Sequence, residues 1–349
     1  MVFDAAAARM QHTVGVEEMD MERRGPAELV MAAAVARRYY LAGRSKIEIA
    51  EELGISRFKV ARLLDFARER GMVRIEIVAE GDIDLDRSAR LQEAFGLRHA
   101  IVVNGTGLDV RTLSEHLGEA TSRLLGEILT DTDVLGLPWA RSIDILTKSL
   151  RNLPAVDVVQ LCGAMEVPGV NSSAVDIVRR AAQATGGSAS IFHAALLLDD
   201  ELTASSIRRE RRVAHGLAQA ARVTTAVVGI GAWEPGLSTI YDAVSPADRE
   251  EALSAGVVGE IAGRFFDAEG RLLEPPLSKR IITLGAKELL AIPEVIGIVA
   301  GRPKARAVAA ALRGGLVNAV VVDIIQCDAL LADAETSRVA AGLKGASSL

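Results

Sequence analysis

The chain has few cysteines, few aromatic residues and no long apolar run. Among its 349 residues only Cys162 and Cys327 are cysteines, too few and too far apart for a disulfide framework or a zinc site, so reduced thiols in the cytoplasm are expected. Aromatic residues make up 3%, which argues against stacking of nucleobases on aromatic side chains. No apolar stretch approaches the roughly 20 residues of a membrane span, and the N-terminus lacks the pattern of a secretion signal.

A catalytic or metal-binding constellation is also missing from the sequence. The five histidines lie in the N-terminal segment, in a predicted strand and in predicted helices, without the spacing of metal ligands. Asp199, Asp200 and Glu201 are adjacent carboxylates, but an acidic helix cap explains them more simply than a catalytic pair. Gly229 and Gly231 lack the third glycine of a dinucleotide-binding fingerprint. No catalytic residue, metal site or cofactor is therefore predicted.

Charge is distributed unevenly along the chain. The formal net charge is −6, yet residues 37–74 hold ten Lys/Arg and five Asp/Glu, a local +5 that leaves −11 for the rest. A basic module joined to an acidic body is typical of a protein whose smaller domain binds DNA while its larger domain does not. The length also exceeds what one hydrophobic core usually serves, which predicts two domains.

The basic module has the pattern of a helix-turn-helix motif. Apolar residues at three- and four-residue steps from Ala27 to Gly43 predict a supporting helix. Ser45 and Glu48 predict a capping box that begins the next helix, and Gly54 can adopt the positive φ that ends it. Cap, glycine turn and apolar spacing agree, which favours this motif over a helical hairpin whose charges are merely solvated.

The second helix of the motif carries most of the residues predicted to contact DNA. It begins after Ser56 and runs to Gly71, and its apolar repeat leaves basic residues outside, at the end that enters the major groove. The alternating stretch 72–78 predicts a short strand, which would form a wing or lead into the next domain. The predicted DNA contacts are Ser45, Lys46, Ser56, Arg57, Phe58, Lys59 and Arg62.

Beyond residue 81, apolar β-branched runs alternate with helical segments. This alternation predicts a parallel sheet covered by helices on both faces, a doubly wound, Rossmann-like α/β fold. Strands are predicted at 99–103, 134–137, 156–162, 190–194, 223–229, 281–284, 295–300 and 317–323. Helices are predicted at 110–130, 142–150, 174–185, 207–220, 246–255 and 304–313.

Three loops at the ends of these strands suit a ligand, because parallel sheets bind ligands at the carboxyl ends of their strands. Loop 136–142 offers a guanidinium and a hydroxyl beside free backbone amides, which suits an anion. Loop 229–233 has glycines that let a ligand approach the backbone, and loop 300–304 places cations at a helix start. Ordinary turn chemistry explains any one of them, whereas all three together indicate a phosphate or sugar-phosphate site.

The order and spacing of several motifs resemble the SorC/DeoR family of sugar-binding bacterial transcriptional regulators, from about Ala27 to Ala332. The matching stretches are IAEELGISR (49–57), LPWARS (137–142), VQLCG (159–163), VVGEIAGRFFD (257–267) and VAGRPK (299–304). The resemblance implies an all-α, winged helix-turn-helix domain joined to an α/β domain similar to phosphosugar isomerases and deaminases. That second domain would sense an effector without transforming it.

The resemblance also implies a set of site residues. The residues of a phosphate-binding loop correspond to Pro138, Arg141 and Ser142. A cation corresponds to Lys304, an acid that binds ligand hydroxyls to Glu260, and a polar ligand contact to Asn171. The family commonly has glycine at Ala140 and aspartate at Glu260, so this chain departs from the pattern inside the site. The predicted effector-binding residues are Pro138, Trp139, Arg141, Ser142, Asn171, Gly231, Glu260 and Lys304.

We therefore expect a cytoplasmic, non-enzymatic regulator of carbohydrate or polyol catabolism that binds a double-stranded DNA operator and a sugar, polyol or sugar-phosphate effector. An operator with two half-sites is bound by two copies of the DNA-binding helix, which predicts a homo-oligomer, either a dimer or a tetramer. The expected segments are a mobile tail (1–25), the DNA-binding domain (26–80), the effector-binding and oligomerisation domain (81–335) and a C-terminal tail (336–349).

Two alternatives from other functional classes stay open at the level of sequence. One is an isomerase- or deaminase-like enzyme with an appended helical module, for which Glu260 or Asp323 would be the general base. The other is an interaction protein that binds no small ligand.

Overall fold

The chain forms two units in the computed structural model, Met1–Val78 and Ala79–Leu349. The structure describes residues 25–74, 82–166 and 172–346, and side chains up to residue 336. The predicted wing strand falls mostly outside these residues, since only 72–74 are described there; Met72 and Val73 form a bend, and none of the three pairs with a described strand. Among the described residues, no helix is both long enough and apolar enough to cross a membrane.

The first unit is a small helical domain with its own core. Helix α1 spans Pro26–Ala36 and continues as a π-helical turn, Arg37–Leu41; α2 spans Lys46–Leu53 and α3 spans Arg57–Glu69. The three helices bury mainly small and aliphatic side chains against one another: Ala32, Val35, Ala36, Ile49, Val60, Leu63, Leu64, Phe66 and Ala67. Helices α2 and α3 lie where the sequence predicted the two helices of the motif.

The ends of α2 follow the predicted caps. Ser45 Oγ accepts the Glu48 N–H at 3.2 Å, and the Glu48 carboxylate accepts the Ser45 N–H at 2.8 Å, so two otherwise free amide groups are bound. Gly54 ends the helix with a φ of 65°, which a residue with a side chain rarely adopts. Ser56 Oγ then accepts the Lys59 N–H at 3.2 Å and begins α3.

Replacing Ser45 with alanine is expected to loosen α2. Alanine cannot accept the Glu48 N–H, and the loss of such a cap costs about 1 kcal/mol. Amide hydrogen exchange within α2 of the intact chain should therefore become about fivefold faster. Ser45→Thr keeps the acceptor oxygen and should exchange at nearly the original rate. Unchanged exchange in the alanine variant would show that the cap contributes nothing.

The second unit is built on a seven-stranded sheet whose neighbouring strands are all parallel. Its strands are β1 His99–Val103, β2 Val134–Leu137, β3 Asp157–Gln160, β4 Ala189–Ser190, β5 Thr225–Val228, β10 Glu294–Val299 and β11 Ala319–Asp323. Their order across the sheet is β1-β11-β10-β5-β2-β3-β4. This confirms the predicted parallel α/β architecture.

Helices cover both faces of this sheet. The helices of this unit are α4 Leu85–Phe95, α5 Val110–Ile128, α6 Arg141–Ser149, α7 Ala174–Thr185, α8 Glu201–Arg209, α9 Arg211–Ala218, α10 Thr239–Ala243, α11 Pro246–Ser254, α12 Ala286–Ala291, α13 Ala305–Arg313 and α14 Ile324–Ala346. Alternate residues of β11 enter opposite cores: Val320 belongs to the core that includes residues of α4, α13 and α14, while Val321 belongs to the core that includes residues of α5, α6 and α7. Strands buried on both faces explain the near-continuous apolar runs.

A small antiparallel sheet, which the sequence did not predict, adjoins the parallel one. Its strands, in spatial order, are β6 Ile230–Ala232, β7 Gly259–Ile261, β8 Arg264–Phe266 and β9 Leu272–Leu273. Only Gly229 separates β5 from β6, so the chain passes directly from one sheet to the other. Gly231 of β6 pairs with Glu260 of β7, which places a carboxylate beside the edge of the parallel sheet.

Two predicted strands differ from the structure. Residues 281–284 form no ladder within the described chain; they make only isolated bridges, because the Ile282 and Leu284 N–H groups donate to carbonyls of two different loops. Of the predicted strand 190–194, only Ser190 pairs in the sheet. The chain then leaves the sheet, because the Phe192 N–H donates to the Gln160 side chain at 3.2 Å.

One predicted helix is broken in the structure, and the last helix of the structure was not predicted from the sequence. The predicted helix 207–220 is broken at Glu210, whose carboxylate accepts the N–H groups of Arg212 and Val213 at 2.8 and 2.9 Å and thereby begins a new helix, α9. The last helix, α14, continues through Ala346, into the segment 336–349 that was expected to be a tail.

Candidate functional site

The three loops predicted to hold a ligand lie side by side at one edge of the parallel sheet. They follow β2, β5 and β10, which are neighbours in the sheet. Because parallel strands present their carboxyl ends at the same edge, the loops enclose one cavity of about 530 Å³. Seven predicted effector-binding residues line it: Pro138, Trp139, Arg141, Ser142, Gly231, Glu260 and Lys304. The eighth, Asn171, lies outside the described residues.

Glu260 is a buried carboxylate in the wall of this cavity, with 9% of its surface exposed. Ser238 Oγ donates to Oε1 at 3.2 Å, and the Gly263 N–H donates to Oε2 at 3.1 Å. Burial raises the pKa of Glu260 above its ordinary value, while these two hydrogen bonds and the charge of Lys304 act in the opposite direction. Each carboxylate oxygen has a further lone pair, so Glu260 can also accept a ligand hydroxyl.

Lys304 and Arg141 bring positive charge to the same cavity. Burial lowers the pKa of Lys304; the negative charge of Glu260 opposes this shift and the positive charge of Arg141 adds to it. Arg141 is the first residue of α6, where the helix N-terminus also favours an anion. Within the described chain neither cation forms an ion pair, so both can bind an anionic group of a ligand.

Trp139 and Cys162 form a largely apolar part of the wall. The Trp139 backbone N–H donates to Cys162 Sγ at 3.2 Å, and its indole N–H donates to the Ser172 carbonyl at 3.0 Å. Burial raises the pKa of Cys162 to about 12; the charge of Glu260 adds to this shift and the hydrogen bond from Trp139 opposes it. The thiol is therefore neutral near pH 7 and a poor nucleophile. These two residues give the cavity shape rather than reactivity.

Four polar residues of the cavity wall were not predicted from the sequence. Arg111 and Ser114 come from the start of α5, Ser238 precedes α10, and Thr239 is the first residue of α10. The hydrogen bond from Ser238 to Glu260 depends on the pairing of β6 with β7, and strands of three residues leave no readable period in the sequence. Ser238 could therefore be found only from the tertiary structure.

Asp323, the second base considered for an enzyme, does not belong to the described lining of the cavity. Its carboxylate accepts the N–H of Gly301 at 2.9 Å and that of Gln326 at 3.2 Å. The first of these bonds holds the turn that precedes Lys304. Asp323 thus has a structural role in shaping the site.

Gly231→Ala is expected to displace Glu260 and to weaken ligand binding at least tenfold. A Cβ at this position would lie 2.2 Å from Glu260 Oε1 and 3.0 Å from Ser238 Cβ, so the carboxylate must move. Gly126→Ala, in the last turn of α5, is a matched control, since its Cβ would meet its nearest atom at 3.5 Å. The control should bind ligand normally and melt at an equal or higher temperature. Normal ligand affinity in Gly231→Ala, measured by calorimetry, would argue against Glu260 as a contact.

Five of the seven predicted DNA contacts lie at the start of the second helix of the motif, α3, whereas Ser45 and Lys46 lie at the start of the first, α2. Arg57, Phe58, Lys59 and Arg62 are exposed on α3, and within the described residues no hydrogen bond or ion pair engages the three cationic side chains. Ser45 and Ser56 are exposed as well, with their hydroxyls bound as helix caps. The Lys46 ammonium lies 5.9 Å from the centre of the Tyr39 ring. The unpaired cations suit the phosphates and base edges of DNA.

Comparison with known proteins places most of the chain in one family. Residues 81–332 match the family model described as "Putative sugar-binding domain". The deoxyribonucleoside regulator of Bacillus subtilis is 25% identical over 306 residues, which cover 87% of this chain and 97% of that protein. The transcriptional regulator LsrR of Klebsiella pneumoniae is 29% identical over 310 residues, which cover 88% and 94% of the two chains.

A solved structure is similar over the same extent. The full-length sorbitol operon regulator SorC from Klebsiella pneumoniae superposes with a TM-score of 0.66 at 25% identity, and the match covers 87% of this chain and 98% of that one. The similarity therefore spans nearly the whole length of each of these three relatives.

Proposed function

Because the chain belongs to the SorC/DeoR family of sugar-binding transcriptional regulators, we propose that a small effector in the cavity beside Glu260 and Lys304 controls its binding to an operator. The operator is read by the exposed residues of α3. The names of two relatives refer to a deoxyribonucleoside and to sorbitol, so sugars, polyols and their phosphates are the first class to test. A role in carbohydrate or polyol catabolism and a cytoplasmic location follow from this proposal.

The observation that carries the proposal is the combination of charges in one cavity. Glu260 offers a buried acceptor for hydroxyl groups, whereas Arg141 and Lys304 offer two cations that form no ion pair with any described residue. A polyhydroxylated ligand with one anionic group satisfies all three, and about 530 Å³ is sufficient for such a molecule. An apolar ligand would leave these polar groups unsatisfied, which costs free energy.

The proposed mechanism is a shift between two arrangements of the oligomer. Operators with two half-sites are bound by two reading helices at a fixed spacing. An effector that binds one arrangement more tightly shifts the population towards it. The resulting change in operator affinity is set by the difference between the effector's affinities for the two arrangements. A wing after α3 and a likeness to phosphosugar isomerases stay predictions, as does assembly into a dimer or tetramer.

The experiment that tests the proposal screens the purified protein by thermal shift against sugars, polyols and their phosphates. A ligand at 100 times its Kd should stabilise the protein by about 2.7 kcal/mol, which raises the melting temperature by several degrees. Lys304→Ala should lose this response to any phosphorylated ligand that stabilises the original protein. The proposal would be wrong if no compound in the panel raised the melting temperature.

The enzyme alternative needs a general base in the cavity, and Glu260 is the only carboxylate that lines it among the described residues. We propose that Glu260 binds the effector without moving protons to or from carbon. Assays with pentose and hexose phosphates should then show no turnover, even for compounds that stabilise the protein. Turnover that disappears in Glu260→Gln would favour the enzyme.

A further inference from the structure

Phe58 is the only phenylalanine among the described residues that is exposed. Its exposed fraction is 83%, whereas Phe66, in the same unit, is 2% exposed, and Phe265 and Phe266 are buried in the second unit. Phe58 makes no part of the core that holds α1, α2 and α3 together. The start of α3 is fixed by the cap at Ser56 instead. The fold therefore gives no reason for an aromatic ring at this position.

The position of Phe58 on α3 is that of a residue that reads DNA. It lies in the first turn, between Arg57 and Lys59, and Arg62 follows four residues later on the same side of the helix. This end of the second helix of a helix-turn-helix enters the major groove. Isolated apolar residues are common on protein surfaces, but Phe58 lies among exposed cations that are unpaired within the described chain.

We propose that Phe58 packs against the 5-methyl group of a thymine in each operator half-site and so selects a T·A pair there. This methyl is the apolar group that base edges present in the major groove, and phenylalanine is among the side chains that contact it. The inference rests on the proposed function, since it requires a sequence-specific operator.

Arg62 sets where this thymine should be found. Four residues of helix span about 6 Å, and successive base pairs are about 3.4 Å apart. Guanine offers the bidentate acceptors that arginine prefers. The thymine should therefore lie within about two base pairs of a guanine, and loss of Arg62 should relax the preference for that guanine only.

Uracil is the probe that isolates the methyl group, because deoxyuridine pairs as thymidine does and lacks only the 5-methyl. The operator is first selected from random duplexes with the full-length protein, and each thymine is then replaced singly by deoxyuridine. At one thymine per half-site, the replacement should weaken binding about fourfold, the factor for burial of one methyl group. Phe58→Ala should bind the thymine duplex less tightly and should not distinguish the two duplexes. Phe58→Leu, which stays apolar, should still distinguish them.

Three outcomes are possible, and each decides the question. The pattern above supports the contact, provided that melting temperature and oligomeric state match those of the original protein. If binding is selective but no single uracil replacement weakens it, or if Phe58→Ala remains as sensitive to uracil as the original protein, the thymine contact is wrong while the proposed regulatory function is still supported. If no duplex is selected at all, the proposed function fails and the contact fails with it.

Discussion

Arg62→Ala and Arg57→Ala are each expected to weaken binding to the selected operator by a factor of roughly 5–150, equivalent to about 1–3 kcal/mol. Both guanidinium groups are exposed at the start of α3 and are unpaired within the described residues. Each can therefore donate two hydrogen bonds to one guanine, to its O6 and N7 atoms. Loss of a base contact should also reduce the difference in affinity between the operator and a duplex mutated at the contacted pair.

Arg68→Ala is the matched control for these variants. Arg68 is on the same helix, but it lies near the C-terminal end and pairs with Asp65. Its removal should change operator affinity little. A loss in Arg62→Ala that is equal on operator and mutated duplexes, together with a lower salt dependence, would identify Arg62 as a phosphate contact. Unchanged affinity in both Arg57→Ala and Arg62→Ala would contradict the assignment of α3.

Glu260→Gln is expected to weaken effector binding by a factor of roughly 10–150, because a hydrogen bond to a charged group contributes about 1.5–3 kcal/mol. The amide retains the shape of the side chain and can still meet Ser238 and Gly263, but it offers one acceptor oxygen in place of two. Operator affinity without effector should stay the same. The variant should therefore bind its operator and fail to respond to the effector.

The same substitution is expected to stabilise the empty protein at high pH. The pKa of Glu260 is raised in the folded state by burial, so the carboxyl costs no stability below its ordinary pKa and costs most above the raised one. Stability of the original protein should accordingly fall as pH rises through this window, whereas Glu260→Gln should lack this decline. We expect a gain on the order of 1 kcal/mol at pH 8 and almost none at pH 4, measured by thermal or urea denaturation.

Glu250→Gln provides the control, since it removes an acidic group that is exposed on α11. It should change neither effector affinity nor the pH dependence of stability. If Glu260→Gln and Glu250→Gln gave the same stability at both pH values, the buried carboxylate would carry no penalty, and the raised pKa of Glu260 would be contradicted.

Local signals predicted the first unit well. Ser45, Glu48, Gly54 and Ser56 act on their nearest neighbours along the chain, so the caps could be read directly from the sequence. The parallel sheet was also predictable, because strands such as β11 are apolar on both faces. A parallel sheet in turn predicted that the loops of the cavity meet at the edge formed by the carboxyl ends of its strands.

Features that depend on distant parts of the chain were missed. Residues 281–284 are as apolar as a strand, but their N–H groups donate to loop carbonyls instead of a neighbouring strand. An apolar run in the sequence does not distinguish these two arrangements. Glu210 lies between α8 and α9 and caps the start of α9. The helical periodicity of the sequence does not reveal this break between the two helices. The second sheet consists of strands of two or three residues, so neither its existence nor the bond from Ser238 to Glu260 could be predicted.

The central claim is that the cavity beside Glu260 and Lys304 controls reading of DNA by α3, and thermodynamic linkage tests it most directly. The operator Kd is measured with and without the ligand found by thermal shift, and the ligand Kd is measured with and without operator. Both affinities should change by the same factor, about 5–150. Lys304→Ala should bind the operator normally and show no such change at the same ligand concentration. A ligand that binds this cavity yet leaves operator affinity unaltered would contradict the claim.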